Sequence, residues 1–161
     1  MKIGVLSDTH KRLDLAIAAI EEMGAIDLLV HAGDHYRDAK KLMDHFGVPG
    51  VAVAGNCDIT GGSSEEILEL AGRKVLVVHG HRQGVKGGLQ NLWYYALERD
   101  VEMVIFGHSH IPVCQTVDGI TMFNPGSLTE PRDLIAGATY GIITIDQGVW
   151  RPEIIKFVGK T

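Results

Sequence analysis

Cysteine is scarce. Cys57 and Cys114 are the only two in 161 residues, too few for the disulfide framework of a small stapled scaffold. Long apolar runs are missing as well, and no stretch approaches the roughly 20 residues that a membrane span needs. Positive charge is in deficit: 15 Lys and Arg stand against 20 Asp and Glu, a formal net charge of −5 at pH 7. That balance argues against a nucleic-acid backbone as the default partner, because such binding leans on clustered Lys and Arg. A Lys/Arg groove beside a functional site would reverse the argument. Met1-Lys2 leads directly into an apolar run, which reads as leaving no room for a cleaved signal peptide. Together these features predict a cytoplasmic protein with no membrane partner.

The rest of the composition is that of an ordinary globular chain. Hydrophobic residues make up 45% and charged residues 22%. The length fits one domain over 1–161 with a proper core. In the first half, short β-branched runs alternate with helical spacing. Leu13, Ala16, Ile17, Ile20 and Met23 share one face over 13–23, and Ala39, Leu42, Met43 and Phe46 another over 37–46. Gly47-Val48-Pro49 stops the second helix. A short strand is expected at 67–70, and a helix after Gly84–Gly88 burying Leu89, Leu92, Trp93, Ala96 and Leu97. Beyond residue 110 the texture becomes β-rich. Hairpins are expected at 113–117/120–123 around Asp118-Gly119 and at 140–145/149–157.

The apolar runs have a common feature: each ends in residues that can hold a metal. Ile3–Leu6 precedes Asp8 and His10, and Leu28–Val30 precedes Asp34. Val51–Ala54 precedes Asn56, Val75–Val78 precedes His79, and Val101–Phe106 precedes His108 and His110. Runs without polar alternation read as strands buried on both faces. Sites in open α/β sheets form outside the carboxyl ends of such strands, so the five groups are expected along one edge. The glycines beside the ligands are expected to let the backbone turn sharply. Carboxylate, amide and imidazole donors without thiolate suit Mn, Fe, Co, Ni or Zn ions better than Ca or Mg.

In order, Asp8-Thr9-His10, Gly33-Asp34, Gly55-Asn56-Cys57-Asp58, His79-Gly80-His81 and Gly107-His108-Ser109-His110 resemble the calcineurin-like metallophosphoesterases. The likeness is to their small single-domain YfcE-type phosphodiesterase branch, which also contains the retromer scaffold subunit Vps29. Asn124-Pro125-Gly126-Ser127 matches a turn of that branch. The resemblance implies an α/β fold: a four-layer αββα sandwich of two mixed β-sheets flanked by helices. It implies two divalent transition-metal ions, manganese first among them. One would take Asp8, His10, Asp34 and His110; the other Asp34, Asn56, His79 and His108. A hydroxide bridging the ions would attack phosphorus in a small phosphodiester. In many larger members a histidine follows the Gly-Asn asparagine, where this chain has Cys57. A neutral thiol, with an unperturbed pKa of about 8.5, is a poor substitute for imidazole at neutral pH.

Cys57 and His81 are the candidates for lining the substrate pocket, Cys57 as a small apolar wall. Asp58 reads as a loop cap, His45 as a surface residue, and Asn124 and Ser127 as holding a turn beside the site. Arg12, Arg37 and Arg82 each follow a ligand motif closely and read as solvated loop residues or local positive charge. Selectivity would reside in loops 11–13, 35–38, 59–64 and 82–88. Trp93, Tyr94 and Tyr95 cannot all face one core, so at least one is expected at the surface, where a homo-oligomer contact is conceivable. The alternative from another class is a non-catalytic metal-binding scaffold of the Vps29 kind that mediates protein assembly. A third reading is a metal-dependent nuclease.

Overall fold

The computed structural model describes residues 1–159. Among them the elements run β1 (Lys2–Leu6), α1 (Leu13–Met23), β2 (Leu28–His31), α2 (Tyr36–Phe46), β3 (Gly50–Ala52), β4 (Glu65–Leu70), β5 (Arg73–Val78), α3 (Gln90–Glu98), β6 (Met103–Ile105), β7 (Val113–Val117), β8 (Ile120–Asn124), β9 (Thr139–Asp146) and β10 (Val149–Lys156). The strands form two five-stranded mixed sheets, ordered β10-β9-β1-β2-β3 and β4-β5-β6-β8-β7. Each has a parallel heart, β1-β2-β3 in the first and β5-β6-β8 in the second. Antiparallel hairpins complete the edges.

Three apolar layers account for the unbroken hydrophobic runs. Ile3, Val5, Val30, Val75, Val77, Ile105, Phe123 and Ile143 fill the space between the sheets. The alternate residues Leu6 and Leu29 pack outward against Ala16, Ile20 and Met23 of α1 and Leu42 of α2. On the far side Leu76, Val78 and Val104 meet Leu92 and Ala96 of α3. Strands covered on both faces have no solvent side to make polar. The order helix, sheet, sheet, helix is the αββα sandwich that the resemblance implied.

Three expectations are corrected, and the sheet joined by the last hairpin is a new finding. The β9–β10 hairpin pairs antiparallel with β1 and completes the N-terminal sheet. Its inward residues Ile143 and Ile145 are needed in the layer between the sheets. Leu97 is 46% exposed, because α3 ends one residue later and buries only Leu92 and Ala96 fully. The run at 101–106 is paired only over Met103–Ile105, and β4 begins at Glu65 rather than 67. Of the three consecutive aromatics, Tyr94 is the exposed one at 51%.

Candidate metal centre

The carboxyl ends of the two parallel hearts converge at one place. Asp8 and His10 follow β1, Asp34 follows β2, Asn56 follows β3, His79 follows β5, and His108 and His110 follow β6. The backbone there is unusual. Asp8, His10, Asp34, His108 and His110 themselves adopt left-handed φ angles, between 43° and 65°. Each such non-glycine residue costs on the order of 1 kcal/mol or more, and this strain is characteristic of functional sites. Of the glycines beside the ligands, Gly33 and Gly80 also take positive φ, 97° and 101°, as expected. At Gly107 and Gly55 the need is for space instead. A Cβ on Gly107 would strike Ser7 Oγ and come within 2.7 Å of Asp8 Oδ2, and one on Gly55 would strike Asp34 Oδ1.

The side chains fall into two groups with one shared member. Asp8, His10 and His110 offer ligand atoms within 4.8 Å of one another, and so do Asp8, Asp34 and His79. His110 Nε2 lies 3.1 Å from Asp8 Oδ1 and 3.4 Å from His10 Nε2. His79 Nε2 is 3.4 Å from Asp34 Oδ2 and 3.1 Å from Asn56 Oδ1. The His108 ring centroid is 5.0 Å from that of His79, and its backbone N–H donates to Asp8 Oδ2 at 3.1 Å. All seven sequence candidates therefore meet. Asp8 is the residue common to these two groups.

The outer nitrogen of each buried imidazole is committed. His79 Nδ1 donates to the Ala32 carbonyl and His110 Nδ1 to the Glu130 carbonyl, each at 2.8 Å. Both rings therefore direct Nε2 into the site, the arrangement that metal-ligating histidines adopt. The carboxylates are held similarly: Ser7 Oγ donates to Asp8 Oδ2 at 2.5 Å, and the Cys57 N–H to Asp34 Oδ1 at 2.9 Å. Burial pushes Asp8 and Asp34 towards the neutral form. The charges of His110 and His79, with the hydrogen bonds from Ser7 Oγ and the Cys57 N–H, outweigh it and hold both below the usual carboxylate range. Burial and the neighbouring His79 charge push His108 down to about 4.

The residues present fit metal ions. Asp8 Oδ1 is buried and accepts no hydrogen bond, although imidazole Nε2 atoms lie at 3.1 and 3.9 Å. An anionic oxygen removed from water needs a compensating partner, and a divalent cation among these atoms supplies one. The oxygen and nitrogen donors suit a transition metal.

The surrounding residues divide as follows. Asn124 Nδ2 donates to the Gly107 carbonyl, and Ser127 Oγ and Thr129 Oγ1 both donate to the Asp8 carbonyl. The 124–129 turn thus ties the β6 and β1 loops together, the structural role expected for Asn124 and Ser127. Asp58 accepts from the Tyr36 and Gly55 backbone N–H groups at 2.9 Å each, so it caps α2 from the neighbouring loop. The Cys57 side chain is exposed overall; partial desolvation of the thiol, with the hydrogen bond and charge of Asp34, pushes it up to about 11. The His81 ring lies 5.4 Å from that of His79, and its Nδ1 is buried without a partner. His45 is at the surface. Sequence reasoning missed His35, whose ring packs edge-on against His10 at 5.2 Å. It also missed the buried chain from His31 through Thr9 Oγ1 to Asp38. Neither has a motif of its own, and only the left-handed loop at 34–35 brings His35 to the site.

The profile of the calcineurin-like phosphoesterase superfamily domain matches residues 1–148. The chain belongs to that superfamily. YsnB of Bacillus subtilis, named a "probable metallophosphoesterase", is 36% identical over 148 residues, covering 91% of this chain and 85% of that protein. A phosphodiesterase of Methanocaldococcus jannaschii is 29% identical over 180 residues, covering 97% of this chain and all of that protein. The structure of zinc-complexed Vps29 from Entamoeba histolytica superimposes with a TM-score of 0.74 at 19% identity, covering 96% of this chain and 98% of that one. That last likeness shows the shared fold. The superfamily and the clustered donors together make this a phosphoesterase-type chain with a candidate divalent-metal site. No helix of the described residues is long and apolar enough to cross a membrane.

Proposed function

We propose that this protein is a phosphoesterase that uses two divalent transition-metal ions to hydrolyse small phosphodiesters. The observation that carries the reading is the pair of ligand groups joined by Asp8, within a superfamily that contains phosphodiesterases. Asp8, His10, Asp34 and His110 would hold one ion, and Asp34, Asn56, His79 and His108 the other. Bound ions of this kind supply Lewis-acid charge to phosphoryl oxygens and lower the pKa of a water towards neutrality.

The chain's own residues do the rest. Ala32 and Glu130 carbonyls fix the His79 and His110 tautomers, so the donor atoms are set before substrate arrives and little reorganisation is needed. The Cys57 N–H and Ser7 Oγ hold the two carboxylates in their ionised form. Cys57, with its raised thiol pKa, forms a neutral wall where larger members have imidazole. His81, whose ring lies 5.4 Å from that of His79, would contact a phosphoryl oxygen. Two free cysteines fit a reducing, cytoplasmic setting, and manganese is the first metal to test.

The test is to strip the protein of metal and add back Mn, Ni, Zn or Mg ions separately. Bis-(p-nitrophenyl) phosphate is then compared with p-nitrophenyl phosphate, alongside His79→Ala and Asp34→Asn. Transition-metal-dependent diester turnover lost in both variants is the expected result. Two bound ions with no turnover of either ester would move the scaffold alternative ahead. Metal binding alone does not separate the two readings, since Vps29 has itself been seen with zinc.

A further inference from the structure

Beside the metal centre lies a cleft of about 460 Å³ that none of the seven ligands lines. It is continuous with the centre through two residues that form its inner wall. The Cys57 backbone N–H holds Asp34, and the His35 ring packs on His10. Its outer wall carries Lys11, Arg37 and Lys41, all exposed. In a chain of net charge −5 this is a local reversal of sign. Among the described residues none of the three makes a salt bridge; the nearest polar partner of Arg37 is Thr60 Oγ1 at 3.4 Å.

The two carboxylates of the cleft do not serve as their partners. Asp58 has both oxygens on backbone N–H groups of Tyr36 and Gly55. Asp38 is buried and takes its hydrogen bonds from Thr9 Oγ1 and the Lys11 backbone N–H. The second of these fixes Lys11 against the first turn of α2. Arg37 and Lys41 are four residues apart on that helix, so they share a face, where like charges repel. Arg37 also sits in the first turn, at the positive end of the helix dipole, where an anion is favoured and a cation is not. The fold alone gains nothing from this arrangement, and an anion in the cleft reverses each unfavourable contact.

Resting on the phosphoesterase reading above, we propose that Lys11, Arg37 and Lys41 form a second anion subsite. The substrate would then be a small phosphoester whose alcohol portion carries a further phosphate. Leu13 and Ile59, the latter 97% exposed, give the cleft apolar walls that suit an organic group lying between the two anions. The three cations are gathered around one compact cleft rather than strung along a track, which favours a small ligand over a nucleic-acid strand.

The test uses a matched pair with the same scissile bond, thymidine 5′-(p-nitrophenyl phosphate) with and without a 3′-phosphate, on the manganese-loaded protein. Binding of thymidine 3′,5′-bisphosphate and thymidine 5′-monophosphate is measured alongside by calorimetry. The 3′-phosphate should raise kcat/KM and tighten binding by about tenfold, the scale of one or two charge-assisted contacts. Arg37→Glu and Lys41→Glu should each collapse that ratio. Lys40→Glu, the same charge change on the Tyr36 side of the helix, should not. Equal values for the two ligands in the wild type, or an equal collapse in Lys40→Glu, overturns the subsite. So does a strong preference for a decathymidylate over the small bisphosphate, which would install a nucleic-acid strand in its place. If neither ester is hydrolysed yet the bisphosphate still binds preferentially, the phosphoesterase reading fails and the anion subsite stands.

Discussion

Asp8 occupies the space that a side chain at Gly107 would need: a Cβ there would lie 2.7 Å from Asp8 Oδ2 and strike Ser7 Oγ. The two residues are brought together by the loops after β1 and β6, and the His108 N–H seals the contact. Gly107→Ala must therefore displace the residue common to both ligand groups. We expect a stability loss of about 1–3 kcal/mol, the usual cost of overpacking, together with loss of bound metal. Chemical denaturation and metal analysis of the purified variant check both. Full metal content in Gly107→Ala would show that Asp8 can retreat without leaving the site.

Asp58 separates a capping role from a chemical one. Its two oxygens each accept a backbone N–H, from Tyr36 and from Gly55, in place of any cap from the αL residue His35. Asp58→Ala should cost about 1–2 kcal/mol, as loss of a helix cap does. Asp58→Asn should recover part of it, because one amide oxygen remains to accept. If Asp58 moved protons instead, Asn and Ala would be equally damaging to turnover and one limb of its pH profile would vanish.

The positions of the ligands could be read in advance because strands buried on both faces leave little choice. Their side chains are spent on packing, so polar chemistry collects where the strands stop. Asp8, Asp34, His79 and His110 were legible for that reason, and the helices α1 and α2 for the plain periodicity of their buried faces. The β9–β10 hairpin was recognisable as a hairpin, but nothing local decides which sheet edge it completes. That depends on Ile143 and Ile145 fitting a layer formed by residues far away in sequence. The left-handed backbone at Asp8, His10 and His110 was hidden, because none of the three has a glycine beside it to signal a turn. The basic cleft was hidden differently. Loops 11–13, 35–38 and 59–64 were singled out for selectivity, but only the fold shows that Lys11, Arg37 and Lys41 face the same space.

The sharing of Asp34 between the two proposed ions makes metal stoichiometry diagnostic. Wild-type protein should bind two manganese ions, His79→Ala and Asp8→Asn one each, and Asp34→Asn neither, since Asp34 is the ligand proposed for both ions. Because the ions bind the folded chain, each should raise stability by about 2.7 kcal/mol at a hundredfold excess over its Kd. Chelation should therefore lower the melting temperature of the wild type most, of His79→Ala and Asp8→Asn less, and of Asp34→Asn hardly at all. Calorimetric titration and thermal melts with and without chelator measure these outcomes. No ion held by Asp8→Asn and one held by Asp34→Asn would mean that Asp8 is the shared ligand of the centre.

His31 offers a pH-dependent prediction independent of metal. It is fully buried, with the Gly33 N–H donating to Nδ1 and Nε2 facing Thr9 Oγ1, so the ring is held neutral. Burial, only partly opposed by Asp8, Asp38 and Asp58, pushes it down to about 4 from 6.5. In the unfolded chain the same ring takes up a proton as pH falls through 6.5. Between 6.5 and about 4 the unfolded state thus binds more protons than the folded one, and stability must fall with pH. At ~1.4 kcal/mol per pH unit the contribution reaches about 3 kcal/mol, and it levels off once the folded ring also protonates. His31→Gln cannot titrate and should lose correspondingly less stability across this window, whatever its stability at pH 7. Urea unfolding of both proteins in chelator at pH 7, 6, 5 and 4 gives the two slopes, and the difference between them isolates His31 from the carboxylates. Parallel slopes would place the acid sensitivity elsewhere in the fold.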